Sequence, residues 1–179
     1  EFQTALEQSQ KLLQQYPNSA FLYNLTGALN KGLGQLEAAV ESFKKALSLN
    51  PNYAEACYNM GNALKDLSKH EDAIEIYKMA IFLNPGNAKA YCKIGNIYRE
   101  QLQLQDAVEA YEKATIIQPN FIVAYNNMGN TLREQKKLTE ALEILNRAIV
   151  IKPDNAEVLY NIGLTLQEQG KLEPALNAY

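Results

Sequence analysis

The chain has 179 residues, of which 47% are hydrophobic and 21% are charged, and its formal net charge is -3. This composition is ordinary for a folded chain in water, and it excludes extensive disorder and a membrane-embedded core. Because the weak net charge is negative, we expect no nucleic acid and no membrane among the main partners.

The first predicted element is a helix over residues 2–15, and it begins a chain with a strict internal period of 34 residues. One proline column, one glycine column and two alanine columns share this period, which is the sequence signature of a repeat architecture. The first two columns contain Pro17, Pro51, Pro85, Pro119 and Pro153, and Gly27, Gly61, Gly95, Gly129 and Gly163. The alanine columns contain Ala5, Ala39, Ala73, Ala107, Ala141 and Ala175, and Ala46, Ala80, Ala114 and Ala148.

Each period predicts a first helix, a polar turn and a second helix. In residues 88–121 the spacing Y-x2-I-G-x2-Y places apolar side chains on one face of the first helix, and A-x3-Y-x2-A does the same for the second. This spacing, followed by a proline, resembles the 34-residue pattern of the tetratricopeptide repeat (TPR) family. The resemblance covers essentially the whole chain and implies an all-α, right-handed superhelical solenoid of helix-turn-helix units.

The period divides the chain into full and partial units. We expect the second helix of a preceding partial unit in residues 1–19 and another partial unit in residues 156–179. The four full units are expected at residues 20–53, 54–87, 88–121 and 122–155. We therefore expect a segment of a longer array with uncapped terminal helices. Their exposed apolar residues are candidates for end-to-end self-association, namely Leu12, Leu13, Leu176 and Tyr179.

The columns also predict how the helices pack and end. Glycine and alanine let paired helices approach closely, because larger side chains would separate the backbones. The proline column predicts the ends of the second helices, whereas Pro174 falls in the first turn of the last helix, where proline is tolerated. The residues directly after four of the prolines are candidate N-caps of the next helix, namely Asn18, Asn52, Asn120 and Asp154.

Two rows of residues recur on the first helices, two before and one after each glycine. In the TPR family the first helices line a concave groove, so the resemblance places both rows there. Asparagine dominates the rows, and its amide can bond the N–H and C=O groups of an extended peptide. The rows contain Leu25, Asn59, Lys93, Asn127 and Asn161, and Ala28, Asn62, Asn96, Asn130 and Leu164.

The segment YNNMGNTLREQ at residues 125–135 resembles the asparagine-lined superhelix of O-GlcNAc transferases. By position, Asn59, Asn127 and Asn161 match that ladder of asparagines. Leu25 and Lys93 interrupt it, which argues against a continuous track that binds any sequence.

A third row, four residues after each glycine, is mostly basic, and acidic residues often follow it directly. Arg99 and Arg133, together with Lys93, are candidates for binding carboxylates of a ligand. The alternative is solvated helix ends, whose basic residues complement the helix dipole and whose acidic residues pair with neighbours; alternating charge favours it. The complete set of predicted groove residues is Asn59, Asn62, Lys93, Asn96, Arg99, Asn127, Asn130, Arg133 and Asn161.

The sequence offers no catalytic motif. It has no Gly-rich phosphate loop, nucleophile elbow or kinase signature, and Cys57, Cys92 and His70 are too few for a zinc site or a disulfide framework. We expect no enzyme activity, no metal and no cofactor in these residues. A reducing, cytoplasmic location is compatible with the two cysteines.

Three functions stay open on the sequence. The first is a non-catalytic scaffold that binds an extended peptide or helix of a protein partner in the groove. The second is the substrate-docking arm of a larger enzyme, such as a glycosyltransferase, whose catalytic domain lies elsewhere. The third is a self-assembling scaffold.

Overall fold

The computed structural model describes residues 1–178, which form eleven α-helices and no strand. The helices are α1 Phe2–Gln15, α2 Ala20–Gly32, α3 Leu36–Leu49, α4 Ala54–Asp66, α5 His70–Leu83, α6 Ala88–Glu100, α7 Leu104–Ile117, α8 Ile122–Glu134, α9 Leu138–Ile151, α10 Ala156–Glu168 and α11 Leu172–Ala178. They belong to two compact units, Glu1–Pro85 and Gly86–Tyr179. The all-helical repeat predicted from the 34-residue period is therefore confirmed.

Within each unit, helices pack against their neighbours along the chain. In the unit of residues 1–85, α2 pairs with α3 and α4 pairs with α5, while α1 packs on α2 and α3 packs on α4. In the unit of residues 86–179, the pairs are α6 with α7, α8 with α9, and α10 with α11. First helices also contact each other directly, α2 with α4 in one unit, and α6 with α8 and α8 with α10 in the other.

The close approach within each pair depends on the glycine column. A Cβ atom built on Gly95 would lie 2.6 Å from the ring of Tyr111 on α7, which is closer than real Cβ contacts. The same distance separates a Cβ on Gly129 from Leu145 on α9. The first helices α2, α4, α6 and α8 therefore each rest on one large side chain of the second helix, and the predicted steric role of the glycine is confirmed for these four.

The proline column ends the second helices as predicted. Helix α7 ends at Ile117, and Gln118, the residue before Pro119, has the extended dihedrals φ -128 and ψ 89. The residue preceding a proline avoids the helical region because the proline ring would clash with it. The next first helix therefore starts only after a short turn.

The predicted N-caps were wrong by one residue. The structure places the caps two residues after each proline, and three of them have side chains that accept a backbone N–H. For example, Asn155 Oδ1 accepts from Val158 N at 3.0 Å. Asn18, Asn52, Asn120 and Asp154 lie instead in the turn, because the proline and its successor are both needed to reverse the chain. The observed caps are Ser19, Tyr53, Asn87, Phe121 and Asn155.

Every first helix ends in a turn with one residue in the left-handed conformation. In α6, Gln103 N donates to Tyr98 O at 2.8 Å around Leu102, whose φ is +60. This bond closes the last helical turn. The left-handed position favours glycine, because any other residue there carries a steric cost of about 1–2 kcal/mol. The residues in this position are Gly34, Ser68, Leu102, Lys136 and Gly170.

The terminal helices carry part of the predicted apolar exposure. Leu12 on α1 is 41% exposed and Leu176 on α11 is 73% exposed, whereas Leu13 is half-buried. Tyr179 lies outside the described residues. Self-association through these residues stays a prediction.

We expect Gly95→Ala to lower the free energy of unfolding by about 1–3 kcal/mol, because the new methyl group overlaps the Tyr111 ring. Alanine has the higher helix propensity, so a loss of stability isolates the clash. Gly32→Ala is the control, since its nearest contact, the ring of the exposed residue Phe2, is 3.1 Å away and can move. Urea unfolding followed by circular dichroism measures both variants. Equal stability of Gly95→Ala and the wild type would contradict the proposed contact.

Candidate functional site

The exposed side of the first helices carries most of the predicted groove residues. We call this side of each unit its first-helix face: α2 and α4 form it in residues 1–85, and α6, α8 and α10 form it in residues 86–179. Asn59, Asn62, Lys93, Asn96, Arg99, Asn127, Asn130 and Arg133 are all half-buried. Asn161 is only 6% exposed and belongs to the interior.

In residues 86–179, asparagines connect successive first helices. Asn127 on α8 donates from Nδ2 to Asn96 Oδ1 on α6 at 2.9 Å. The same Asn96 oxygen accepts the Tyr111 hydroxyl at 2.8 Å. Asn161 on α10 donates from Nδ2 to Asn126 Oδ1 on α8 at 2.8 Å, in a buried bond. Two predicted ligand-binding residues, Asn127 and Asn161, are therefore engaged in the packing of the chain itself.

The same arrangement occurs in residues 1–85. Asn59 on α4 donates from Nδ2 to Asn24 Oδ1 on α2 at 3.1 Å. Asn24 in turn donates to Glu55 Oε1 at 3.3 Å. Asn62 Oδ1 accepts the Tyr77 hydroxyl at 2.8 Å. Asparagine is thus the residue that satisfies polar groups where adjacent first helices meet.

Sequence reasoning missed Asn24 and Asn126 as members of this network. Both are buried, and each accepts a bond from an asparagine 35 residues further along the chain. Asn126 also donates to Glu157 Oε1 at 2.7 Å. The available signal was this 35-residue spacing between asparagines, one residue longer than the repeat.

The basic row forms ion pairs with acidic residues of the next first helix. Arg99 Nε donates to both carboxylate oxygens of Glu134 at 3.1 Å, and Arg133 Nη1 donates to Glu168 Oε1 at 2.9 Å. In the other unit, Lys31 Nζ lies 2.8 Å from Asp66 Oδ2. These ion pairs agree with the alternative to ligand binding, in which the acidic residues pair with basic neighbours.

Charge pairing also acts on the acidic partners. Bonds from Lys136 and Arg133 hold the pKa of Glu168 below its usual range. A lowered carboxylate pKa means that the pair contributes stability above the unfolded pKa of about 4 and loses it as pH falls through the folded value. These partly exposed pairs are each worth about 0–1 kcal/mol, so they orient side chains more than they stabilise the fold.

Lys93 and Asn130 are predicted groove residues for which the described part of the chain shows no hydrogen bond or ion pair to a neighbouring helix. Among the described residues, Lys93 has no ion pair; its charge opposes the rise that burial causes in the pKa of the neighbouring Cys92 thiol. Asn130 Oδ1 is buried and accepts no hydrogen bond within residues 1–178. A buried carbonyl oxygen without a donor is costly, which marks the Asn130 side chain as a candidate contact for a ligand once its amide turns outward.

An open pocket lies on the first-helix face of residues 86–179. Its volume is about 500 Å³, within the usual range for ligand sites. It brings together three of the predicted groove residues, Asn96, Arg99 and Asn127. The remaining lining residues are Glu100, Leu102 and Glu134.

Other chemistry finds little support in the described part of the chain. No group of three or more histidine, cysteine, aspartate or glutamate side chains in it is placed to hold a metal ion. None of its helices combines the length and the hydropathy needed to cross a membrane. Cys57 and Cys92 are both free and buried.

Family models match most of the sequence. Models described as TPR repeat match residues 32–68 and 129–170, and models described as tetratricopeptide repeat match residues 54–87, 88–121 and 110–143. The chain belongs to the tetratricopeptide repeat family. The resemblance identified from its 34-residue columns is confirmed. A comparison with curated proteins finds no match.

Solved structures of TPR proteins share the fold. A crystal structure of MamA is 26% identical, with a TM-score of 0.77 over 85% of this chain and 89% of that one. A structure of YrrB, described as a TPR protein with an unusual peptide-binding site, is 24% identical, with a TM-score of 0.74 over 95% of this chain and 88% of that one. One chain in the crystal structure of the APC/C hetero-tetramer Cut9-Hcn1 is 16% identical, with a TM-score of 0.80 over 99% of this chain and 35% of that one. The family and its fold are those of protein-interaction scaffolds.

We expect Cys92 to react slowly with iodoacetamide at pH 8, because burial raises the pKa of its thiol to about 11. Only about one thiol in a thousand is then ionised, against roughly a quarter for an ordinary cysteine of pKa about 8.5. The Cys57→Ser variant isolates this thiol, and mass spectrometry follows the labelling with and without urea. Rapid labelling of the folded chain, with a pH midpoint near 8.5, would contradict the burial of Cys92.

Proposed function

We propose that this TPR chain is a non-catalytic scaffold whose first-helix face binds an extended segment of a protein partner. The observation that carries the proposal is the open pocket of about 500 Å³ between α6 and α8. It is lined by amide and charged side chains that the chain's own hydrogen bonds hold in place. A preorganised polar surface of this kind binds with little loss of side-chain entropy.

The asparagines keep hydrogen-bonding capacity after serving the fold. A side-chain amide has two N–H donors and two lone pairs. The Asn96 oxygen accepts two bonds, from Tyr111 and Asn127, and within the described residues its amide N–H groups are left for a ligand. Asn127 uses Nδ2 toward α6 and retains its carbonyl oxygen. These groups are complementary to the C=O and N–H groups of an extended backbone.

Asn130 extends the surface by one turn along α8. Its Oδ1 is buried without a donor among the described residues, so turning the side-chain amide outward would let a backbone N–H of a bound segment satisfy it. The ion pairs of Arg99 and Arg133 make these two side chains poor first choices for a ligand carboxylate, because binding would first have to displace Glu134 or Glu168. We therefore assign most of the ligand contacts to the amides.

Structures of related folds support a peptide ligand. The YrrB structure is described as having a peptide-binding site, and Cut9 is found in a complex with Hcn1. Both show that a fold of this kind serves protein recognition in those proteins. Applied to this chain, they favour a peptide or protein over a small metabolite.

The alternative, a substrate-docking arm of a larger enzyme, uses the same face. Its distinguishing feature would be a continuous asparagine track, as in the O-GlcNAc transferase resemblance. Lys93 interrupts that track on α6, and Asn161 on α10 is buried against Asn126. We therefore favour the scaffold.

We expect Asn127→Ala combined with Asn130→Ala to weaken peptide binding at least tenfold, because two amides of the face are lost. The probes are 12-residue peptides selected from a random phage-displayed library on the wild-type chain, with dissociation constants measured by fluorescence anisotropy. Asn146→Ala, an exposed asparagine on the second helix α9, is the matched control and should bind normally.

The loss of the Asn127 bond to Asn96 also costs about 1 kcal/mol of stability. Circular dichroism must therefore show that the double variant remains helical at the temperature of the binding measurement. Peptides that bind the double variant and the wild type equally would refute the amide surface as the binding site.

A further inference from the structure

Leu102 occupies a position for which leucine is poorly suited. Its φ of +60 lies in the left-handed region, where the equivalent residues of two other repeats are glycines, Gly34 and Gly170. Its side chain is also 81% exposed, so it gains almost nothing from burial in the core. A bulky residue in this region is unusual, and an observed outlier of this kind is a reason to look for a function.

The backbone holds Leu102 firmly at the rim of the pocket. Leu102 N donates to Arg99 O at 3.0 Å, and Gln103 N donates to Tyr98 O at 2.8 Å. These bonds attach the turn to the end of α6. The turn therefore places the Leu102 side chain on the lining of the pocket of about 500 Å³, together with Arg99 and Glu134.

Arg99 gives the pocket a second fixed surface. Its Nε and Nη2 groups both donate to the Glu134 carboxylate, and this bond raises the pKa of the guanidinium further above its usual value. A guanidinium bonded through its edge still offers a flat face, on which aromatic rings stack well. Because Glu134 neutralises the charge, the pocket does not favour an anion.

We propose that Leu102 and the Arg99–Glu134 pair form a subsite for one aromatic side chain of the bound segment. The inference rests on the proposed function and specifies what the segment must carry. The aliphatic Leu102 side chain contacts the edge of the ring, the guanidinium stacks on its face, and the amides of Asn96 and Asn127 bind the adjacent backbone. The volume of the pocket is sufficient for one large side chain.

The test combines Leu102→Gly with changes in the peptide. Library-selected peptides should share an aromatic residue, and replacing that residue by alanine should weaken binding to the wild-type chain at least tenfold. Leu102→Gly should weaken binding of the aromatic peptide by about five- to tenfold, but leave binding of its alanine version nearly unchanged. This double-mutant cycle reports direct coupling between the two groups.

The thermal stability of Leu102→Gly should not fall with its peptide affinity, so it provides a second readout. Leu102→Gly places glycine where φ is positive, so its thermal midpoint should stay the same or rise while binding falls. Ser68→Gly is the matched control, since Ser68 has a φ of +58 and is exposed but does not line the pocket. It should match Leu102→Gly in stability and the wild type in peptide binding.

Each outcome has a distinct meaning. Unchanged binding by Leu102→Gly, together with weak binding by the Asn127→Ala and Asn130→Ala double variant, overturns the subsite and leaves the proposed function standing. Selected peptides in which leucine replaces the aromatic residue without loss also overturn it. If neither variant alters binding, or if no peptide is selected, the proposed function fails together with the subsite.

Discussion

The contact between one glycine of a first helix and one large side chain of its second helix, seen in α2, α4, α6 and α8, underlies the rest of the structure. Gly95 leaves room for the Tyr111 ring, and Gly129 leaves room for Leu145. Where the partner is tyrosine, its buried ring also directs a hydroxyl group to the first-helix face, where it donates to Asn96 or Asn62. The packing of the pair therefore also positions the polar groups of the candidate site.

A second set of interactions joins neighbouring first helices, and it is polar. The bond of Asn127 to Asn96 and the pair of Arg99 with Glu134 connect α6 to α8, while Asn161 and Asn126 connect α8 to α10. Much of the hydrogen-bonding capacity of this surface is therefore already used within the chain. A ligand can use only the donors and acceptors that remain, together with the apolar contact that Leu102 provides at the rim.

Much of the fold could be predicted from residue spacing because the constraints are local. The helix pairs follow from the 34-residue columns, and the helix ends follow from the prolines. The N-caps were misplaced by one residue, since spacing alone does not show that Pro119 and Asn120 are both used in the turn. Leucine by itself gives no signal for the left-handed conformation of Leu102; the indication comes from aligning the repeats, which places Leu102 in register with Gly34 and Gly170.

The family, the helix pairs and the rows of asparagine on the first helices could all be read from residue spacing, because they depend on periodic side-chain size and polarity. The use of each polar group became visible only in the packed helices. Asn161 faces the interior, Asn96 borders a pocket, and Arg99 is neutralised by Glu134. The physical reason is that hydrogen bonds between repeats depend on the distance and angle between residues about 35 positions apart, which packing sets and composition does not encode.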